Sequence, residues 1–406
     1  MKLWNEDWPI VRTALNERPE DTLAERARAI EGLCGRSANA IRQYAAGQGY
    51  ECTSSVVVDK GPEVLYAEIA RLKKILASRE DFDAAVDLAV RESIAALPAL
   101  KIPPPVKLTK KPADVHTAML LLGDCQAGEA FSAADVSSAG RPYGWDVFTE
   151  RARKISAGVR KITKIHRAYA PVHNLKIIFL GDIIEGEEIY RGQRGYIDRP
   201  IFDQVFGAAE VLSNIVSELA AEFKQVTCYC VWGNHGRLGK DFRDDQNCDT
   251  LCYRFMKMRL APVKNAEMII SASYKMLFRL PELPEYIWLA WHGDNIRSYL
   301  NTPYYGLERA VAQEIMLNNM GIHYTLLGHH HRDAMIGLPH GELIVNSSWV
   351  GTSPYSSKVM RTGGTPSQSF FFLHPEYGIT SRWPIWLAKK MDLRPNGKGL
   401  YTPEAE

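Results

Sequence analysis

The feature that most limits what this chain can become is a repeated arrangement. Five apolar runs end at Gly or Trp, and each delivers a side chain that can ligate a metal. Met119-Leu120-Leu121-Leu122-Gly123 leads into Asp124, Cys125 and Gln126, and Ile177-Ile178-Phe179-Leu180-Gly181 into Asp182, with Glu185 three residues on. Val226 to Trp232 ends in Gly233-Asn234-His235, Ile287 to Trp291 in His292-Gly293-Asp294, and Tyr324-Thr325-Leu326-Leu327-Gly328 in His329-His330-His331. Short runs of this composition read as buried strands, and glycine lets the backbone turn beside the ligands. In an extended segment His329 and His331 face one side and His330 the other. Ligands on successive strand ends fall along one edge of a sheet, where open α/β folds build their sites.

Singly, each residue has an ordinary explanation. Asp182 after Gly181 suits a helix cap, Asn234 a turn, and a lone His292 or Cys125 a core. Together they would need five strand ends to carry ligand types for unrelated reasons. In order and spacing these residues resemble the calcineurin-like metallophosphoesterase superfamily, whose motifs run D-x-H, G-D-x-x-D/E, G-N-H-D/E, an isolated His and G-H-x-H. The match spans roughly residues 117 to 350. Gln126 stands where the family usually has His, and Gly236 where it usually has an acid.

The resemblance implies two divalent cations, roughly 3.5–4 Å apart, that supply hydroxide and neutralise phosphate oxygens in ester hydrolysis. It would give Asp124, Gln126 and His331 to one metal, Asn234, His292 and His329 to the other, and Asp182 to both. His235 would protonate the leaving oxygen, so Asp182, Asn234 and His235 are the catalytic candidates. Oxygen and imidazole ligands without thiolate favour Mn²⁺, with Fe, Zn or Mg as alternatives. An amide oxygen is a weaker ligand than imidazole, so the Gln126 site is expected to bind more loosely. Gly236 removes a carboxylate that would orient His235, and Asp241, Asp244 and Asp294 are candidates to replace it.

At 406 residues the chain exceeds one typical core. Residues 1–100 read as a helical domain, 101–115 as a Pro- and Lys-rich linker, 116–390 as the catalytic domain and 391–406 as a loose tail. In the first, an amphipathic stretch from Thr22 to Ile30, a turn at Gly35 and a helix capped by Ser37 outline a helix-turn-helix. There Ser37, Asn39, Arg42 and Gln43 would meet DNA, and a plain helical hairpin is the competing reading. Helical spacing of Leu65, Ile69, Leu72 and Ile75 within 62–97 gives a packing face for a bundle or a homo-oligomer.

Farther on, Asp146 is expected to cap a long basic helix reaching about Ala170, with most of its charge on a solvated face. Strands at 175–181, 226–232, 266–273, 275–280, 286–292, 342–346 and 369–373 interleave with helices at 201–223, 245–260 and 304–319. Crossovers mixed with hairpins give two packed sheets flanked by helices, a four-layer α/β sandwich, which is also the fold the resemblance implies.

A formal charge of +2 provides no whole-chain field for a polyanion. No run reaches the ~18 apolar residues of a membrane span. The start lacks a signal-peptide pattern, and seven cysteines without framework spacing suit free thiols. A cytoplasmic protein without membrane contact is therefore expected, with Cys228, Cys230, Cys248 and Cys252 as buried fillers rather than a second metal site.

Substrate follows from the loop 185–199. Tyr190, Arg191 and Arg194, with Arg237 beyond His235, could grip phosphates and stack on bases. With the head in front, this favours a DNA phosphodiesterase, similar to the repair nucleases of the superfamily, and the appended head is reminiscent of its bacteriophage-encoded members. A phosphomonoesterase or protein phosphatase is the competing enzyme reading. A DNA-binding scaffold with a weakened metal site is the non-enzymatic one.

Overall fold

All seven residues of the strand β1 (His116–Leu122) are buried, as a continuous apolar run requires when both faces of a strand are covered. The computed structural model describes residues 11–12, 14–15, 27, 37–47, 87–92, 94–95, 99–100, 114–136, 141–239, 243, 246–296, 304–357 and 364–388. The chain divides into two compact units, Met1–Ala85 and Val86–Glu406.

In the larger unit, β1 is followed by β2 (Val172–Phe179), β3 (Gln225–Cys230) and β4 (Ala266–Ile270), all parallel in the order β1-β2-β3-β4. Two antiparallel strands, β10 (Ser367–His374) and β11 (Gly378–Trp386), extend this sheet on the β1 side. A second sheet has the order β5-β6-β7-β9-β8, from β5 (Lys275–Leu280), β6 (Leu283–Trp291), β7 (Tyr324–Leu327), β8 (Ala334–Leu338) and β9 (Gly341–Val345). Strands β6, β7 and β9 are parallel, so all five ligand-bearing runs are parallel members of one sheet or the other.

The alternation of side chains assigns the layers. Leu120, Leu122, Ile177, Phe179 and Cys228 meet α2 (Trp145–His166), α3 (Ile201–Ala220) and α4 (Cys248–Arg259), through residues such as Phe148, Leu212 and Phe255. Their neighbours Met119, Leu121, Ile178 and Leu180 point the other way and pack on Trp288, Ala290, Leu326 and Ile344 of the second sheet. That sheet's outer face, with Leu289, Leu327 and Leu343, is covered by Leu307 and Val311 of α5 (Tyr304–Asn318). Helices, sheet, sheet, helix is the expected four-layer sandwich. No helix among the described residues is long and apolar enough to cross a membrane.

Three expectations need correction. Asp146 does not cap α2. Residue 144 precedes the helix without a side-chain cap, and the Trp145 N–H donates instead to Asp198 Oδ2 at 3.0 Å, which leaves Asp146 in the first turn. Arg151 is not part of a solvated face, since it is 4% exposed, donates to the Trp349 carbonyl and lies 5.2 Å from the centre of the Tyr143 ring. Strands β8 and β11 are additions: both are sheet edges, β8 being a five-residue apolar stretch interrupted by Gly337 and β11 mixing polar with apolar residues around Pro384.

In the smaller unit, α1 (Ala38–Gly47) carries the expected cap, with Ala40 N–H donating to Ser37 Oγ at 3.4 Å, while Ile41 and Ala45 are buried. Gln43 is exposed. The side chains of Asn39 and Arg42, most of 62–97, residues 101–113 and the tail lie outside the described residues.

At the end of β1, opposite the ligands, His166 lies flat on Phe372 with ring centroids 3.6 Å apart and its Nε2 3.0 Å from His116 Nδ1. Burial, then the neighbouring His116, pushes the His166 pKa down to about 4. An unfolded chain takes up that proton near pH 6.5, so stability is full above that value and is lost as pH falls from about 6.5 toward 4. Thermal unfolding followed across this window should show Tm falling with pH, and His166→Gln should flatten the slope.

Candidate metal centre

The backbone itself marks the site. Six described non-glycine residues have positive φ, and five of them are Asp124, Gln126, Asp182, His329 and His331, with φ between 45 and 64°. A non-glycine residue in this left-handed region costs about 1–3 kcal/mol, so its recurrence at the ends of β1, β2 and β7 is strain held in place by the surrounding fold. The turn sends each side chain back across the sheet edge.

There the side chains converge. Ligand atoms of Asp182, His292 and His329 lie within 4.8 Å of one another. His292 Nδ1–H donates to the Leu180 carbonyl at 2.7 Å, which fixes the ring so that Nε2 faces Asp182 Oδ2 at 3.0 Å and Asn234 Oδ1 at 3.1 Å. Beside this group, His331 Nε2 is 3.4 Å from Asp124 Oδ1 and 3.3 Å from the Gln126 amide nitrogen. The two groups are joined by the His329 N–H, which donates to both Asp124 oxygens at 3.0 Å.

Charge follows geometry. Burial opposes protonation of His292, but the Asp182 carboxylate more than offsets it and raises the pKa to about 10. Burial likewise opposes ionisation of Asp182, and His292 and His235 hold it far below the usual carboxylate range. Burial, reinforced by His292, pushes His329 well down. A neutral imidazole, an amide oxygen and a carboxylate around one point suit a divalent cation. In the other group, Gln126 Oε1 is buried without a hydrogen-bond partner, an acceptor in want of a positive charge. Asp182, His292 and His329 therefore fit a divalent cation, and Asp124, Gln126 and His331 form a second polar group beside them. The described cysteines do not contribute: Cys125, Cys228, Cys230, Cys248 and Cys252 are buried free thiols within the helix-side core.

His235 stands at the rim, its Nε2 4.0 Å from Asp182 Oδ2. Its Nδ1–H donates to the Glu185 carbonyl at 3.0 Å, and Glu185 Oε2 lies 3.0 Å from the same nitrogen. Burial opposes its charge, yet Glu185 and Asp182 raise its pKa well above the ordinary value. Glu185 therefore orients this ring through its backbone carbonyl and sets its carboxylate beside it. Of the three expected candidates, Asp294 pairs with Arg237 at 2.8 Å, and Asp241 and Asp244 lie outside the described residues.

Asp249, at the start of α4, was not singled out by its sequence. Its buried carboxylate accepts the N–H groups of Asp182 (2.8 Å), Ile183 (3.0 Å), Ile184 (3.4 Å) and Gly233 (2.9 Å). The loops after β2 and β3 are thus tied together. Asn247, which caps α4 through the Asp249 N–H, also donates to the Gly233 carbonyl at 2.7 Å. A side chain meets obstacles at two places here: a Cβ on residue 233 would overlap Asp182 Oδ1 and crowd the Asp182 backbone nitrogen, and one on residue 236 would overlap Asn247 Oδ1, which would have to move.

The substrate candidates are spread around this centre. Tyr190 is half-buried and donates through its hydroxyl to Glu185 Oε1 at 3.1 Å. Arg237 pairs with Asp294, two residues beyond His292 in the chain. Arg191 is exposed, and Arg194 is exposed and paired with Glu188.

Among solved structures, the chain is similar to Vps29 from Cryptosporidium parvum, with 13% identity over 67% of this chain and 100% of that one and a TM-score of 0.31. It is similar to Vps29 from Entamoeba histolytica complexed with Zn²⁺ (9% identity, 66% and 99% coverage, TM-score 0.26) and to an archaeal phosphodiesterase (10%, 63% and 98%, 0.28). No family model matches the chain, and no curated protein matches it. Likeness at this level leaves the assignment to the side chains.

Gly236→Asp, which would supply the acid that the resemblance leads one to expect, should displace Asn247. Loss of that cap costs about 0.5–2 kcal/mol. Thermal unfolding should show a lower Tm, and calorimetric titration weaker Mn²⁺ binding. A variant as stable and as tight as the wild type would contradict the clamp.

Proposed function

We propose that the chain is a metal-dependent phosphodiesterase of the calcineurin-like metallophosphoesterase type, with DNA as the favoured substrate. One observation carries the reading: five parallel strand ends bring their ligand-type residues to one edge, with a clamped imidazole at its rim.

Asp124, Gln126 and His331 would hold one cation and Asn234, His292 and His329 the other, with Asp182 serving both. Divalent cations there would neutralise phosphate oxygens and lower the pKa of water. The remaining steps fall to the chain's own groups. His235 is kept protonated by Glu185 and Asp182, with Nδ1 committed to Glu185, so Nε2–H is the proton available to a leaving alkoxide. Arg237, Arg191 and Arg194 are the candidates for gripping flanking phosphates. Ser37, Asn39, Arg42 and Gln43 are those for DNA contact by the head. Mn²⁺ suits the oxygen and imidazole set, and Zn²⁺, Fe or Mg²⁺ would also be accepted.

The purified chain should hydrolyse bis-p-nitrophenyl phosphate in Mn²⁺ faster than the monoester. Equal or greater monoesterase turnover would favour a phosphatase, and no turnover with tight DNA binding a scaffold. His235→Ala should cost about 10²–10⁴-fold on linear DNA, whose leaving alkoxide needs a proton, and markedly less on the nitrophenyl ester, whose phenolate does not. Calorimetry should resolve two unequal Mn²⁺ sites, and Gln126→His should tighten the weaker one. Two equal tight sites in the wild type would refute the assignment of Gln126.

A further inference from the structure

Tyr190 and Tyr355 arrive from different loops, the first after β2 and the second between β9 and β10. Their ring centroids are 4.4 Å apart with the planes inclined at 32°, and Tyr190 meets the His235 ring edge-on at 6.1 Å. Both tyrosines are half-buried rather than closed into the core.

Each is anchored from below. The Tyr190 hydroxyl is held by Glu185, itself fully buried, whose same oxygen accepts Gln193 Nε2 at 2.7 Å. Tyr355 sits in a turn closed by two buried serines: Ser353 N–H donates to Ser356 Oγ at 2.7 Å, Ser356 N–H to Ser353 Oγ at 3.1 Å, and Ser357 N–H to the Ser353 carbonyl at 2.9 Å. Aromatic rings left partly in water, yet fixed this firmly, offer rigid contact area at little entropic cost on binding.

We propose that Tyr190 and Tyr355 form a stacking platform for the base of a nucleotide whose phosphate lies at the ligand cluster, making them specificity-determining residues. The inference rests on the phosphodiesterase reading for the position of the phosphate. His235 proton transfer requires the leaving group to sit beside His235, and the platform is what borders that ring. A planar base gains from an aromatic face whatever its sequence identity, which suits nucleic acid read without base-specific hydrogen bonds.

The test is equilibrium binding to the full-length, Mn²⁺-loaded chain, with thymidine 5′-monophosphate and inorganic phosphate as probes. The wild type should bind the nucleotide at least about ten-fold more tightly than phosphate, the margin one base–aromatic stack supplies. Tyr355→Leu and Tyr190→Leu should each remove most of that margin, whereas Tyr190→Phe, which keeps the ring, should retain it. Circular dichroism reports whether each variant is folded, and the wild-type ratio stands independently of them. Equal affinities in the wild type, or a margin that survives both leucine variants, would overturn the platform. A nucleotide margin without diester turnover would sink the proposed chemistry and leave the platform standing. Turnover without a margin would do the reverse.

Discussion

One buried carboxylate sets the spacing on which the site depends. The loops after β2 and β3 must place Asp182 and Asn234 against the same His292, and backbone N–H groups at strand ends are left over when a ladder stops. Asp249 accepts four of them, two on Oδ2 from different loops and two on Oδ1 from one. Burial, then its neighbour Asp182, pushes its acid up to about 6, while the Gly233 and Ile183 N–H bonds pull the other way. Two carboxylates this close stay distinct in role. Asp249 is spent on backbone, and Asp182 is left for His292, His235 and a cation.

The clamp also accounts for how backbone strain can persist at the ligands. Five left-handed residues at about 1–3 kcal/mol each would unravel a loosely packed loop. Here they extend strands whose two faces are buried, one against helices and one against the other sheet. Aspartate and histidine tolerate the left-handed region better than most residues. Gln126 does not share that preference, and it holds φ 45° with its amide oxygen buried and unpartnered. An uncompensated acceptor in a strained backbone fits a position kept for a ligand rather than for packing.

This explains which parts were legible in the sequence. Central parallel strands are continuous apolar runs because both of their faces are covered, and they end in ligands because the chain must turn there, so β1, β2, β3, β6 and β7 can be read directly. Edge strand β11 faces water and loses that signal, while β8 is apolar but only five residues long with Gly337 inside it, too short to declare itself a strand. Arg151 looked like one more solvated charge because helical spacing alone does not reveal the Trp349 carbonyl waiting above it. Asp249 lies 67 residues beyond Asp182, on a helix whose first turn ordinarily favours an acid, so a helix-dipole explanation would have sufficed. The role of Glu185 is half visible: its spacing from Asp182 marks it as a ligand-type residue, but its contact with His235 exists only once the two loops fold together.

The departure at Gly236 follows from the same packing. Asn247 must cap α4 and hold the Gly233 carbonyl, and its oxygen occupies the space a side chain at 236 would need. A side chain at 236 would displace that cap. Glu185 supplies a carboxylate from the neighbouring loop, at 3.0 Å from the same ring nitrogen that its carbonyl already holds. The imidazole keeps both a fixed tautomer and a nearby negative charge, the two things an acid at 236 would have contributed. The glycine at 236 thus accompanies the Asn247 clamp, and the carboxylate beside His235 comes from the loop after β2.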